Sequence, residues 1–435
     1  MSNSTSHQPL HAFYNPSSLE NLQVSPKLGF LASLFLLYDS DIPLNSASEK
    51  NSSSRGYSMT LFCSGKDSAK EKWDGPKTSI ADAAAIFGAN AAEPITSFAR
   101  VLKSALSRAS NVYVDLPNSP STRNPSAKLL LRYLSSGIQS EVDDVIGSIS
   151  NLKRKPLASE IAPLRAVKSR AEQEVMYEAG TISGRAHAKT MRFAKPGISE
   201  AALAAHFEYL CALQGSQRPA YVPVVASGPN ALIIHYTENN HLLQDHELVL
   251  IDAGCEYNGY ASDITRTFPA SGKFSTAQTE LYSAVLTVQK ELINDCTETA
   301  GYTLHELHRK SCSRLREELS KLGFNFKSNM LGGDTDLERV LYPHFLSHPI
   351  GIDLHESFNM SRSNALKSGM VITIEPGIYV PPTPQFPKQY HNMGIRIEDE
   401  VHVGETDPMV LTVAAPKEVL DVEGACQGLL GLEPY

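Results

Sequence analysis

Four acids and one histidine stand in or at the end of apolar segments in the C-terminal half of the sequence, and these residue types bind divalent metals. The segments read VLIDAGCEYNGYASDITRTFPASG, YPHFLSHPIGIDLHE, VITIEPGIYV and MGIRIEDEV, starting at residues 249, 342, 371 and 393. The candidate ligands are Asp252, Asp263, His348, Glu375 and Glu398. This set suits a pair of hard or borderline divalent metals, which prefer oxygen ligands with some nitrogen.

Each of these residues also has an ordinary structural explanation. An aspartate at a strand end is usually a cap or turn residue, and a lone histidine is more often structural than a ligand. The Asn258-Gly259 turn, however, predicts a hairpin that brings Asp252 and Asp263 within about 5 Å of each other. Several acids pointing into one interior cannot all be ionised without a cation, because unpaired buried charge is too costly. The pattern therefore favours metal binding.

Three histidines fall within twelve residues, at His344, His348 and His355, and this clustering favours a chemical role. The single histidine at His235 gives a weaker signal. Cys255, three residues after Asp252, is an alternative thiolate ligand, although the carboxylates already fill a hard site. The HELHR segment at 305–309 lacks the HExxH spacing, and no nucleotide-binding glycine motif is present.

Composition restricts the class of protein. A chain of 435 residues predicts two or three domains, and 42% apolar with 20% charged residues is ordinary for a globular protein. The formal charge of −8, without a long basic run, argues against nucleic acid as a partner. No apolar run reaches the roughly 18–20 residues of a membrane helix. The six scattered cysteines indicate reduced thiols.

The elements predict a smaller N-terminal α/β domain and a larger C-terminal α+β domain. We expect an atypical, poorly structured segment at 1–55, an incomplete α/β domain at 56–150, a linker at 151–164, the large domain at 165–420 and a tail at 421–435. The predicted helices of the large domain are 169–192, 200–213, 276–299 and 303–319. Its predicted strands are two within 219–236, then 247–253, 257–267 and three after Met370.

At the five candidate ligands the chain resembles the metallopeptidase family of aminopeptidase P, prolidase and creatinase, whose catalytic domain has the pita-bread fold. The resemblance covers residues 165–420. It implies two divalent metals, usually manganese, held by Asp252, Asp263, His348, Glu375 and Glu398, with Asp263 and Glu398 bridging them. It also implies substrate and proton-handling roles for His235, His344 and His355, a proton shuttle at Glu375 or Glu398, and Arg396 close to the metals.

The segments AYVPVVASGPNALIIHYTEN, SDITRTFPASGKFS and TLFCSGKDSAKEKWDGPKTS, starting at 220, 262 and 60, resemble the aminopeptidase P branch, especially its mitochondrial intermediate-cleaving type. The expected function is removal of the N-terminal residue from peptides or proteins, by metal-activated hydroxide attack on the first peptide bond. A prolidase-like dipeptidase and a non-catalytic binding protein of the same fold are the alternatives. The resemblance implies a mitochondrial location, with the cytoplasm as alternative, and it is compatible with a homodimer.

Overall fold

The computed structural model describes residues 33–37, 58–109, 111–114, 145, 147–326, 337–356 and 360–430. The chain forms two compact units, Met1–Ile161 and Ala162–Tyr435. The polar stretch at the start of the predicted N-terminal segment lies outside the described residues, as does the end of the predicted tail. Within the described residues, no helix is both long and apolar enough to span a bilayer.

The N-terminal unit contains a three-stranded sheet. In it β2 (Ser58–Cys63) lies between antiparallel β1 (Ser33–Leu37) and parallel β3 (Ala91–Pro94). Helices α1 (Ser68–Asp74), α2 (Ile80–Phe87) and α3 (Phe98–Arg108) follow or alternate with these strands. A second pair joins β4 (Val112–Tyr113) to β5 (Arg154–Lys155) in parallel. Phe62, Phe98, Leu102, Val112 and Ile149 form the core of this unit. Strand β1 thus lies upstream of residue 56, where we expected the domain to begin.

The predicted linker at 151–164 contains regular structure. It holds β5 and most of helix α4 (Ala158–Ala166), which continues through Pro163. Leu157 and Ala162 are buried, so this segment packs and does not run free over the surface. The two prolines, which suggested a linker, instead precede α4 and lie inside it.

Side-chain caps fix the starts of the long helices of the C-terminal unit. Ser169 and Glu172 form a capping box before α5 (Arg170–Phe193), and Ser199 caps α6 (Glu200–Leu213). A second capping box at Thr303 precedes α8 (Leu304–Lys321). The predictions for these three helices are confirmed to within two residues. Helix α7 (Thr276–Asn294) ends five residues earlier than predicted.

The predicted C-terminal tail contains a helix. Helix α9 (Val419–Gln427) occupies most of the described part of residues 421–435 and lies against α5. Its residues Val422, Ala425 and Cys426 are buried. They recur at intervals of three and four, which is the spacing of a helix face that packs on a core.

Two small sheets follow α6. Strand β8 (Leu248–Asp252) pairs antiparallel with both β7 (Val224–Ser227) and β11 (Thr265–Pro269). Strand β9 (Cys255–Tyr257) pairs with β6 (Arg218–Pro219) and, across the Asn258-Gly259 turn, with β10 (Tyr260–Ala261). The second strand predicted within 219–236 is absent from this described segment. A 3₁₀ turn, Gly228–Leu232, replaces it, because Gly228 has a φ of 52° and Pro229 cannot donate to a ladder.

Five strands follow Met370, where we predicted three. They are β12 (Val371–Ile374), β13 (Gly377–Val380), β14 (Met393–Arg396), β15 (Asp399–His402) and β16 (Met409–Val410). β15 pairs with both β12 and β16, and β13 pairs with β14. Each apolar run is split in two, the first at Glu375-Pro376 and the second at Ile397-Glu398. These interruptions release both glutamates from the ladders.

A large apolar core joins the helices and sheets of the C-terminal unit, from Ala166 to Cys426. The cysteines are all free and buried, as predicted. Ile251, Ile374 and Ile397, each next to a candidate ligand, are fully buried in this core. The ligand-bearing strand ends are therefore held by packing on a rigid scaffold.

Candidate metal centre

Every site residue predicted from the sequence lines one cavity of about 390 Å³. The cavity is lined, among others, by His235, Asp252, Asp263, His344, His348, His355, Glu375, Arg396 and Glu398. Cys255 is not part of its lining, and its Sγ lies 3.6 Å from the carbonyl oxygen of Ala179. The carboxylates and histidines are thus brought together and the candidate thiolate is not.

Strand pairing positions two of the acids. Asp252 is the last residue of β8 and pairs with Thr265 at the start of β11. Asp263 lies in the interruption between β10 and β11, two residues before Thr265. Its backbone N–H donates to the Oε1 atom of the buried Glu400 at 2.7 Å. The interruption, which the sequence did not predict, turns Asp263 into the cavity.

The other two acids leave their ladders at the same end. The last pair of the ladder joins Ile374 of β12 to Asp399 of β15. Glu375 comes directly after Ile374, and Glu398 comes directly before Asp399, so both glutamates lie just beyond this end of the ladder. The N–H of Glu375 donates to the carbonyl of Leu346 at 3.0 Å, and the N–H of Glu398 donates to that of Thr265 at 3.1 Å. These bonds join the glutamates to the histidine segment and to β11, respectively.

Asp263, His348 and Glu398 each offer a potential ligand atom, and these three atoms all lie within 4.8 Å of one another. His348 Nε2 is 3.3 Å from Asp263 Oδ2 and 3.8 Å from Glu375 Oε1. Its Nδ1 lies 3.1 Å from the carbonyl of Pro349. A hydrogen bond from Nδ1–H to that carbonyl leaves Nε2 as the ligating atom, the arrangement typical of metal-binding histidines.

Hydroxyl groups orient two of the glutamates. Thr265 Oγ1 donates to Glu398 Oε2 at 2.6 Å, and Thr373 Oγ1 donates to Glu375 Oε1 at 3.3 Å. Thr373 also accepts the backbone N–H of His348 at 3.1 Å. The hydroxyl of Thr373 therefore bonds both the Glu375 carboxylate and the backbone of His348.

Tyr221 is a site residue that the sequence reasoning missed. Its hydroxyl lies 2.5 Å from Asp252 Oδ1 and 2.6 Å from Asp263 Oδ1. The single hydroxyl hydrogen serves one carboxylate at a time, so Tyr221 links the two acids. It stands in a short loop before β7, and nothing in the local pattern marks it.

A chain of hydrogen bonds connects Asp252 to His344. Arg396, only 2% exposed, donates to Asp252 Oδ2 at 2.5 Å and to the Tyr379 hydroxyl at 2.7 Å. The Tyr379 hydroxyl lies 3.0 Å from His344 Nε2. Because the tyrosine oxygen accepts from Arg396, its hydrogen is available for His344. The Nδ1 atom of His344 then carries the proton and donates to the Phe345 carbonyl at 3.0 Å.

The electrostatics of the cavity indicate missing positive charge. Burial raises the pKa of Glu375 to about 8, and burial with the neighbouring Asp263 raises that of Glu398 well above its ordinary value. Burial also raises the pKa of Asp252, although Arg396 opposes this. Four carboxylates in such a site are ionised together only when a cation compensates them. The donor set therefore fits hard or borderline divalent metals.

The histidines respond to the same charges. Burial alone would lower the pKa of His348, but the Asp263 hydrogen bond and the Glu375 charge raise it to about 8. Burial and the Arg396 charge lower the pKa of His344 to about 3, so this ring is neutral. His355 stands edge-on to His348 with ring centroids 4.4 Å apart. His348 is half-buried beside the acids, whereas His355 and His235 are exposed on the wall of the cavity.

Both units of the chain are similar to known proteins. Residues 174–405 match metallopeptidase family M24, and residues 42–113 match the N-terminal domain of aminopeptidase P. Intermediate cleaving peptidase 55 of Saccharomyces cerevisiae is 39% identical over 83% of this chain and 69% of its own length. Human Xaa-Pro aminopeptidase 3 is 36% identical over 84% of this chain and 70% of its own.

Solved structures of an Icp55 and of an aminopeptidase P are also similar to this chain. The crystal structure of Icp55 from Saccharomyces cerevisiae superposes with a TM-score of 0.76 at 34% identity, covering 91% of this chain and 85% of that one. Zinc-substituted aminopeptidase P of E. coli, in complex with product, gives a TM-score of 0.74 at 29% identity with the same coverage. The expectation of a pita-bread catalytic domain after an aminopeptidase P-type N-terminal domain is confirmed. The chain belongs to metallopeptidase family M24.

Proposed function

We propose that this chain is a dinuclear-metal aminopeptidase that removes the N-terminal residue from peptides or proteins. Membership of family M24 supports a metal-dependent hydrolase, and the names of its relatives favour an aminopeptidase. The observation that carries the proposal is the convergence of four carboxylates and four histidines in one cavity. A non-catalytic protein has no need of this costly cluster of buried charge.

In this proposal two divalent ions would be held by Asp252, Asp263, His348, Glu375 and Glu398. Manganese is the metal we propose, because a set of four carboxylates and one imidazole suits a hard to borderline ion. Metals in such a site lower the pKa of water and supply hydroxide at neutral pH. The remaining steps depend on the side chains of the protein.

The two histidines flanking His348 would have different tasks. His344 uses both ring nitrogens in hydrogen bonds, to Tyr379 and to the Phe345 carbonyl. It therefore has no N–H to offer a substrate. His355 would donate to the carbonyl oxygen of the scissile bond as negative charge develops there.

Glu375 would carry the proton to the leaving amine. Its Oε1 atom lies 3.8 Å from His348 Nε2, so the carboxylate stands inside the cavity where a general acid–base group is needed. His235, on the cavity wall, would contact the substrate beside the reacting bond. The free α-amino group would sit against the acids, which restricts cleavage to the first bond.

One cavity residue supports the dipeptidase alternative. Arg362 lines the cavity with its guanidinium 4.0 Å from the centre of the Phe345 ring. A dipeptidase needs a basic group for the carboxylate of its substrate, and Arg362 is such a group. Substrate length separates the two activities, since an aminopeptidase cleaves peptides of three or more residues.

We propose mitochondrial processing intermediates as one substrate class, because the relatives include intermediate cleaving peptidases of yeasts and a mitochondrial one of Arabidopsis thaliana. Xaa-Pro peptides are the second class, and the cytoplasm is the alternative compartment. A homodimer is the assembly we propose. Light scattering tests the assembly, and fractionation of cells that express the full chain tests the compartment.

A peptide panel tests the proposed activity. The manganese-loaded protein is incubated with Xaa-Pro-Xaa tripeptides, with peptides starting in Tyr, Leu or Phe, with Xaa-Pro dipeptides and with N-acetylated copies. We expect release of the first residue from free tripeptides and longer peptides, and none from acetylated ones. Cleavage of dipeptides alone would replace the proposal by a prolidase activity. Metal binding without any cleavage would support a non-catalytic protein.

A further inference from the structure

Glu200, the first residue of α6, holds one buried carboxylate against a single segment of the chain. Its Oε1 atom accepts the Ser227 backbone N–H at 2.7 Å, the Ser227 hydroxyl at 2.8 Å and the Asn230 amide at 3.1 Å. Its Oε2 atom accepts the Tyr236 hydroxyl at 3.0 Å and the His241 backbone N–H at 2.9 Å. Glu200 is 0% exposed. All five donors come from residues 227–241.

This segment forms part of the cavity wall. It leaves β7 at Ser227, passes through the 3₁₀ turn and brings Ile234, His235 and Thr237 to the cavity. It has no strand partner between residues 228 and 240. The geometry of the segment therefore depends on hydrogen bonds to side chains. The Glu200 carboxylate accepts five of these bonds.

The same carboxylate ties the segment to the candidate metal centre. Ser227 pairs with Val249 in the ladder of β7 and β8, and Val224 pairs with Asp252 at the other end. Holding Ser227, Asn230 and Tyr236 on one carboxylate thus sets His235 relative to the strand that carries Asp252. Asn239 supports the far end, where its side chain accepts from the backbone of Val225.

We infer that Glu200 is a positioning residue, which acts on the reaction by holding residues 228–241, and with them His235, in the cavity wall. This inference rests on the proposed function, because it gives His235 a task only if the cavity cleaves peptides. Only a carboxylate satisfies the arrangement. Both oxygens face donors, so an amide in either orientation places its NH₂ group against an N–H or O–H donor.

Glu200→Gln is accordingly the test, with Glu306→Gln as the matched control. Glu306 is also a first-turn glutamate, but it caps only its own helix, α8. Hydrogen exchange measured by mass spectrometry reports on the segment without requiring activity. We expect exchange in 227–241 to rise at least about tenfold in Glu200→Gln, because a hydrogen bond to a charged group contributes about 1.5–3 kcal/mol. Exchange in 248–252 should stay unchanged, and Glu306→Gln should match the wild type in both segments.

Kinetics then separate a positioning role from a general loss of stability. We expect Glu200→Gln to lower kcat/KM about tenfold, and His235→Ala combined with Glu200→Gln to equal His235→Ala alone. Effects that multiply, or unchanged exchange in 227–241, would overturn the inference. If the wild-type protein releases no N-terminal residue, the proposed function fails, and the exchange result alone decides whether Glu200 holds the segment.

Discussion

At the residue scale, four carboxylates share one cavity in which Arg396 and His348 compensate only part of their charge. Burial raises the pKa of Glu375 to about 8, and the neighbouring acids raise that of His348 to about 8 despite its burial. At a pH just below 8, both groups still hold their protons in the folded chain, whereas they have lost them in the unfolded chain. Their titration therefore couples metal binding to stability and to pH.

We predict that the metal-free protein loses stability as the pH rises from about 6.5 to about 8. In this range the unfolded chain has released the protons that Glu375 and His348 still hold in the folded chain, so the free energy of unfolding falls. The lowered pKa of His344 has the opposite effect, but only below about pH 6.5. Manganese, which needs deprotonated ligands, should stabilise more at pH 8 than at pH 5.5. At 100 times its dissociation constant it should add about 2.7 kcal/mol. Denaturation with and without metal measures this, and equal metal effects at both pH values would contradict it.

The Tyr379 hydroxyl should matter for turnover and not for metal content. It accepts from Arg396 and donates to His344, but it is not a candidate ligand. We predict that Tyr379→Phe lowers kcat about tenfold or more, since it removes a hydrogen bond to the charged Arg396, which also contacts Asp252. Tyr390→Phe, which removes a bond to Glu280 outside the cavity lining, is the control. Loss of metal in Tyr379→Phe, with normal turnover per metal-loaded protein, would argue against this role.

The sequence identified the candidate ligands because each stands in or at the end of an apolar run, a pattern visible locally. This pattern does not reveal the roles of Tyr221, Thr265 and Tyr379, because those roles come from distant partners. Tyr221 lies 31 and 42 residues from its two aspartates, and Thr265 lies 131 residues from Arg396. Such contacts follow from the sheet register, which local patterns do not encode.

At the element scale, the site depends on strands that are interrupted where a ligand must turn inward. The caps at Ser169, Ser199 and Thr303 predicted the helix starts well, because a cap is a short-range hydrogen bond. The sequence indicated that strands end at Glu375 and Glu398, but the interruption at Asp263 was not predicted, because residues 257–267 read as one continuous strand. There the backbone N–H of Asp263 bonds to the Glu400 side chain and not to a neighbouring strand.

A substitution at Gly254 tests how closely the segment after β8 packs against the segment before β11. A Cβ atom at this position would lie 1.8 Å from the carbonyl oxygen of Ser262, in the segment that leads to Asp263. We predict that Gly254→Ala destabilises the protein by about 2 kcal/mol or more, because backbone must move, and that it reduces metal binding. Gly147→Ala, whose Cβ would have no neighbour within 4 Å, is the control. Chemical denaturation and metal analysis measure both effects, and wild-type stability with full metal content would contradict the prediction.

At the scale of the whole molecule, the chain carries two family matches, at residues 42–113 and 174–405. The proposed site residues all lie within the second, and none of the described residues of the N-terminal unit lines the cavity. Fold class and family were predictable from motifs spread over 250 residues. The helices in the predicted linker and tail were not predictable, because small residues such as Ala162 and Ala425 give no sign in the sequence that they are buried.

A metal titration tests the central claim most directly. Metal-free protein is titrated with manganese while bound metal and release of the N-terminal residue from a Xaa-Pro-Xaa peptide are measured together. We predict that activity rises until two ions are bound per chain. Asp263→Ala, which removes a carboxylate within 4.8 Å of both His348 and Glu398, should bind fewer ions and release no residue. Full activity without metal, or normal metal content and turnover in Asp263→Ala, would contradict the account.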